Sequence, residues 1–216
     1  MKTENADLMR MARESLKGKW GLAVGTFLVY TLINLAFQAP AKDYPFVSLL
    51  ALIISGPMSL GAAIFSLSLS RNNDARLKQI FNGFFRFGKS VSAYLLVVLF
   101  ILLRLLLMII PFYAYYSFSN LIVKILLSLI FIIPAIIAAL SYSMTFYIMA
   151  EDESIGAMEA IDKSKVMMYG YKWKFFCLGM RFLGWAILCI LTLGIGFLWL
   201  IPWMNVSIAK FYDDIK

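Results

Sequence analysis

One arginine stands inside an otherwise apolar stretch: Arg104, in VLFILLRLLLMII over residues 98–110. A guanidinium at that depth in hydrocarbon costs several kcal/mol unless it finds a polar partner or reaches an interface. Two chemistries fit this residue. It contacts an anion or lipid headgroup from within a helix bundle, or its long stem extends outward to water or to a carbonyl freed by a proline. Arg104 is the candidate intramembrane polar site. Arg181 and Lys124 lie nearer the ends of their apolar runs and read as extending outward.

Other reactive groups are scarce. Histidine is absent, which removes histidine-based triads and histidine-ligated zinc, copper or iron. No Asp or Glu falls inside an apolar run, so an intramembrane carboxylate relay is not expected. Gly-x-Ser-x-Gly, phosphate-loop and dinucleotide-binding patterns are missing, and no cofactor is expected. Catalysis would have to use Glu151, Asp152, Glu153 and Glu159, which also read as helix N-terminal charges beside Ser154. Cys177 and Cys189 lie twelve residues apart in one apolar run, about 18 Å by helical rise, too far for a disulfide.

These residues need elements to position them, and the composition says which kind. Apolar residues make up 62% of the 216 and charged residues 15%, against roughly 45–50% and 25% in soluble proteins. A soluble globule of this size cannot hide so much apolar surface, so the surplus faces lipid. Charge-poor runs at 20–38, about 46–70, about 90–113 and 121–150 each have the roughly 20 residues that cross a bilayer core. No cleavage site follows the first run, which reads as a retained span. Residues 175–209 would make a helix of about 52 Å, too long for one crossing. Gly194-Ile-Gly196 offers a reversal, predicting a fifth span near 174–193 and a sixth near 197–213.

Charge placement sets the orientation. Lysine and arginine crowd the stretch before Trp20 and the segments 71–89 and 151–174. Loop 39–45 has one lysine, and loops 114–120 and 194–196 have none. The positive-inside rule then puts both termini in the cytoplasm with six spans. The net charge of +8 fits anionic headgroups on the cytoplasmic leaflet, and no motif points to nucleic acid. The cluster Phe112, Tyr113, Tyr115, Tyr116 and Phe118 reads as an outer aromatic belt, with Trp20, Trp173 and Trp185 doing similar work on the inner side.

Each basic segment also has helical amphipathic spacing. Leu8, Met11, Ala12 and Leu16 share one face after Asn5; Leu77, Ile80, Phe81 and Phe84 share another after Asn73. Ile155, Met158, Ile161 and Met168 follow Ser154. These are expected to lie in the cytoplasmic interface with apolar faces in the acyl boundary; a groove that docks a partner is the alternative. Each segment precedes two spans, the second with a proline at Pro57, Pro134 or Pro202. The expected fold is therefore an all-α polytopic membrane bundle in one domain, with a degenerate threefold repeat over about 5–70, 73–150 and 154–216.

The start ADLMRMARESLKGKWGLAVG, the middle IGAMEAIDKSKVMMYGYKWKFF and the end LTLGIGFLWLIPWMNVSIAKFYDDI resemble the domain-of-unknown-function 975 family of small bacterial integral membrane proteins. The resemblance covers nearly the whole chain. It implies a bacterial cytoplasmic membrane and supplies no activity or site residues. Three functions stay open: binding or transport of a lipid or amphipathic molecule, an accessory subunit of a membrane complex, or a membrane enzyme using the acids above. The small-residue stretches Gly61-Ala62-Ala63 and Ala135 to Ala139 motivate the second, because they permit close packing against another helix.

Overall fold

The apolar runs fold here as helices, three of them with an interior proline (Pro57, Pro134 and Pro202), and no strand occurs among the described residues, which in this computed structural model are 2–38, 45–106 and 121–216. The order is α1 (Asn5–Ser15), α2 (Trp20–Gln38), α3 (Pro45–Ser70), a 3₁₀ helix (Leu77–Arg86), α4 (Phe87–Leu106), α5 (Leu121–Tyr142), α6 (Thr145–Glu151), α7 (Ala157–Met167), α8 (Lys172–Leu191) and α9 (Phe197–Ile215). The belt residues Phe112 to Phe118, the loops expected at 39–45 and 114–120 (Pro45 excepted) and the Lys124 side chain lie outside what is described.

Among the described residues five stretches are long and apolar enough to cross a membrane: Trp20–Phe37, Phe46–Ser70, Leu77–Leu106, Ile132–Glu151 and Lys172–Leu191. The helix expected as a sixth span is present as α9, but Lys210, Asp213 and Asp214 charge its last turns. The reversal before it falls where the glycines place it. Leu193 and Gly194 have φ of 53° and 86°, the left-handed geometry of a tight turn. Ring contacts then pair Phe182 and Trp185 with Trp203, and Phe175 with Phe211, as in an antiparallel hairpin. A Cβ at Gly196 would sit 2.6 Å from the Cys189 sulfur, so the hairpin closes tightly at this end.

The fourth apolar run is not one helix. It breaks at Ser143-Met144, between α5 and α6, where Ser164 of α7 inserts its hydroxyl. That hydroxyl donates to the Ser141 carbonyl (2.7 Å) and accepts from the Met144 N–H (3.2 Å). A side chain entering the helical ladder is a recognised cause of a kink.

The second amphipathic segment departs furthest from expectation. Three residues per turn rather than 3.6 put Phe81, Phe84 and Phe87 in one row, rings 6.4 and 6.5 Å apart, and bury Ile80 and Gly83 on another face. The segment runs antiparallel along α3 with backbone against backbone. A Cβ on Gly61 would overlap the Ile80 carbonyl, one on Gly83 the Pro57 carbonyl, and one on Gly56 would lie 2.6 Å from the Ser90 oxygen. Asn73 does not cap it; the Arg76 N–H donates to the Gln79 side chain instead (3.3 Å).

The other two amphipathic faces are spent inside the protein. Leu8, Ala12 and Leu16 are 0% exposed, and α1 packs on α9, α3 and α8. The Trp203 indole fixes that docking by donating to the Met9 carbonyl (2.9 Å). Asn5, expected as a cap, donates to the Lys174 carbonyl (2.8 Å). Ile155, Ile161 and Met168 are likewise buried, leaving Met158 exposed. An acyl-boundary role for α1 and α7 is corrected accordingly: the bundle's own helices supply the apolar partner. The small-residue stretches are used the same way, since Ala62, Ala63, Ala135 and Ala138 are buried within the chain.

Candidate functional site

Two sets of charged groups stand out, one closely paired and one largely without counter-charges. The paired set lies where the ends of α3, α6 and α9 meet. Arg71, just past α3, donates from Nη2 to Glu151 (2.9 Å) and to Asp213 (2.6 Å), and its Nε also reaches Asp213 (3.2 Å). The Asp213 carboxylate, then Glu151, hold the Arg71 guanidinium above its already high value against the opposing effect of burial. Glu151 further takes Lys216 (2.6 Å) and the Tyr212 hydroxyl (2.8 Å). Next to it, Asp214 accepts from Lys174 (2.7 Å) and the Thr3 N–H (3.0 Å), tying the first residues of the chain to α8 and α9. Burial opposes the charged form of Asp214, but Lys174 and Thr3 outweigh it and hold the carboxyl below the usual range.

Of the four acids that catalysis would need, three have close partners within the chain. Glu151 is held as above, Asp152 accepts from the Ser154 N–H and hydroxyl (2.9 and 2.6 Å), and Glu159 pairs with Lys163 (3.0 Å). Glu153 stays largely in solvent, 3.9 Å from Arg86. Glu151, Asp152 and Glu159 line one side of an open cleft of about 960 Å³ between α6, α7 and the end of α9, together with Lys163 and Lys216.

The second set gathers around Arg104, and of its three cations Lys165 is paired. Helix α4 runs antiparallel to α5 and α6, as the ring pairs Tyr94–Phe146 (6.4 Å) and Phe100–Tyr142 (5.9 Å) show. Helix α7 packs over this pair through Ile161, in a cluster with Phe100, Ile101, Ala138 and Tyr142. That docking carries Lys165 over the Phe100 and Tyr142 rings, 5.5 and 5.7 Å from their centres, with Asp162 at 2.7 Å. The result is a recess of about 550 Å³ that brings together Arg104, Lys165 and Lys172 with Ser141, Tyr142, Tyr169 and Pro134. No carboxylate lines it, and Arg104 has no ion pair or hydrogen-bond partner among the described residues.

Sequence reading singled out Arg104 but missed its company. Lys165 and Lys172 were counted only as orientation charges, more than sixty positions away. The available signal was the α7 pattern itself, whose buried face had to land on some part of the bundle. Three cations on an apolar and phenolic floor can hold a phosphate or carboxylate by charge-assisted hydrogen bonds, with tyrosine hydroxyls as further donors. Arg181 is exposed on α8. Cys177 and Cys189 are both free thiols.

A family model described as "Protein of unknown function (DUF975)" matches residues 1–216. No curated protein and no solved structure matches the chain.

Proposed function

The chain belongs to the domain-of-unknown-function 975 family, and from that premise we propose that it is a multi-pass membrane protein that binds an anionic lipid or amphiphile without chemically altering it. The recess holding Arg104, Lys165 and Lys172 carries this reading, because it concentrates three cations against one nearby carboxylate, Asp162. A cation cluster that its own chain neutralises only in part stabilises an incoming anion more than one already fully paired.

Six spans with both termini at the cytoplasmic face of a bacterial cell membrane give this recess its setting. The five membrane-length stretches and the α8–α9 hairpin support the count, and the basic connecting segments support the orientation. Helix α9 is then the last crossing, with its charged turns at the inner surface. The order of a short helix followed by longer ones, starting at α1, the 3₁₀ helix and α7, supports a threefold build in one domain. The exposed rings of Phe81, Phe84 and Phe85 are the apolar surface left to the interface.

The test is lipid retention. Protein released from nanodiscs of mixed phosphatidylglycerol and phosphatidylcholine is examined by native mass spectrometry. Wild type keeps phosphatidylglycerol, and Arg104→Gln with Lys172→Gln loses at least tenfold of it while staying folded. Equal retention by wild type and variant would sink the proposal.

A further inference from the structure

Four of the chain's five tryptophans converge on one groove that has no lining residue in common with the Arg104 recess and shares only α8 with it. Trp20 begins α2, Trp185 sits on α8, and Trp199 and Trp203 on α9. An interfacial belt would spread indoles round the perimeter at one depth. Here they face a single space of about 550 Å³, within the usual range for small-molecule sites. Trp173, expected to share the belt, stands apart: it is 74% exposed and stacks on Phe176 at 5.4 Å.

The groove is built rather than incidental. Trp203 is locked by its bond to the Met9 carbonyl and by edge-on contacts with Phe182 (5.3 Å) and Trp185 (5.7 Å). Trp185 and Trp199 remain about half exposed, so flat aromatic surface is presented to the groove without a protein partner covering it. Arg13 of α1 lines the same space. Its neighbour Arg10 is neutralised by Asp7 at 2.9 Å, whereas Arg13 has no ion pair or hydrogen-bond partner among the described residues. One free guanidinium beside a tryptophan-lined apolar slot matches one anionic group attached to one hydrocarbon body.

We propose that this groove binds a single-chain anionic amphiphile of the long-chain carboxylate type, its carboxylate on Arg13 and its chain against Trp185, Trp199 and Trp203. The guanidinium fork suits a carboxylate bidentately, and the rigid indoles offer apolar contact at little cost in ordering. Arg104 takes no part, so this site and the recess can fail independently.

The tryptophans report on the test themselves. In a Trp173→Phe background every remaining indole lies at the groove, and 9,10-dibromostearate quenches only indoles it touches. With the protein in phosphatidylcholine nanodiscs, dibromostearate gives saturable quenching, and unlabelled stearate reverses it. Arg13→Gln raises the half-saturating concentration about tenfold, Arg13→Lys raises it less than threefold, and Arg104→Gln leaves it unchanged. Arg13 is exposed and unpaired, so the variant keeps the wild-type unfolding temperature. The dibromostearate methyl ester quenches without saturation and alike in all variants. Discs of brominated phosphatidylcholine separate a lipid source from a free acid: added stearate relieves their quenching if the free acid takes the groove. Equal half-saturation for wild type and Arg13→Gln, saturable quenching by the methyl ester, or brominated phosphatidylcholine that stearate cannot displace would each overturn the assignment.

Discussion

Arg71 and Arg104 are the same side chain in opposite circumstances. Arg71 ends α3 among two carboxylates, both within hydrogen-bond distance, and those carboxylates are shared with Tyr212, Lys216 and Ser70. Arg104 shares its recess with two further cations and with no carboxylate of the lining. A charge whose partners come from its own chain contributes to holding the fold. A charge left without partners, beside others of its sign, costs the fold something and is available to a ligand. The distribution of counter-charges, more than the depth of a residue in the sequence pattern, separates the two roles.

Removing the arginines should therefore have opposite consequences. Arg71→Ala leaves Asp213 and Glu151 each short of a donor, and we expect a loss of about 2 kcal/mol, moderated because these side chains keep about a third of their surface in solvent. Thermal unfolding in nanodiscs measures it. Arg104→Ala should leave that midpoint unchanged or raise it, by relief of like-charge repulsion; a fall as large as that of Arg71→Ala would break the distinction. Conversely, retained phosphatidylglycerol should drop about tenfold for Arg104→Ala and stay the same for Arg71→Ala, scored by native mass spectrometry on folded protein. Lys165→Ala should lose less than Arg104→Ala, because Asp162 already offsets part of its charge.

Acid sharpens the same contrast. Asp214 has a folded-state pKa below its unfolded value, so the stability it contributes is present above roughly pH 4 and is lost as pH falls through the folded value. Asp214→Asn should flatten that part of the stability profile, and the protection factor of the Thr3 amide should fall with acid in wild type only. No carboxylate lines the recess, so anionic-lipid retention should not follow the same curve. The smallest effect is expected at Glu159–Lys163, a solvent-exposed pair one helical turn apart. Lys163→Ala there should cost about 0.5 kcal/mol or less, by the same unfolding assay.

What the sequence disclosed was governed by local physics. Apolar runs of sufficient length became helices, and Gly194 turned the chain where its conformational freedom allowed. Arg104 was visible because an isolated charge among leucines is conspicuous without any fold. Its neighbours were not visible, since Lys165 reaches the recess only through the docking of Ile161 on α4 and α5, a contact across some sixty residues. The convergence of four tryptophans on one groove was not visible for a related reason. Hydropathy gives depth along a span but not the direction a side chain faces around it, and direction is what gathers Trp20, Trp185, Trp199 and Trp203. The 3₁₀ helix escaped because Leu77, Ile80, Phe81 and Phe84 also satisfy α-helical spacing; the close approach of the backbone to Gly61 and Pro57 accompanies the tighter winding.

That close approach has a mechanical consequence. Helices separated by side chains can slide a little, because rotamers absorb the movement. Two backbones in contact have no such cushion. The segment pressed against Gly56 to Gly61 continues directly to Arg86 and Lys89. Those two hold the carbonyls of Met149 (2.6 Å), Glu153 (3.0 Å) and Ser154 (2.8 Å). The middle of α3 and the start of α4 are thus held together rigidly, whereas their tie to the chain joining α6 and α7 runs through two flexible side chains. The seam is a rigid splice between two helices, and any give at this end of the molecule lies in the Arg86 and Lys89 stems.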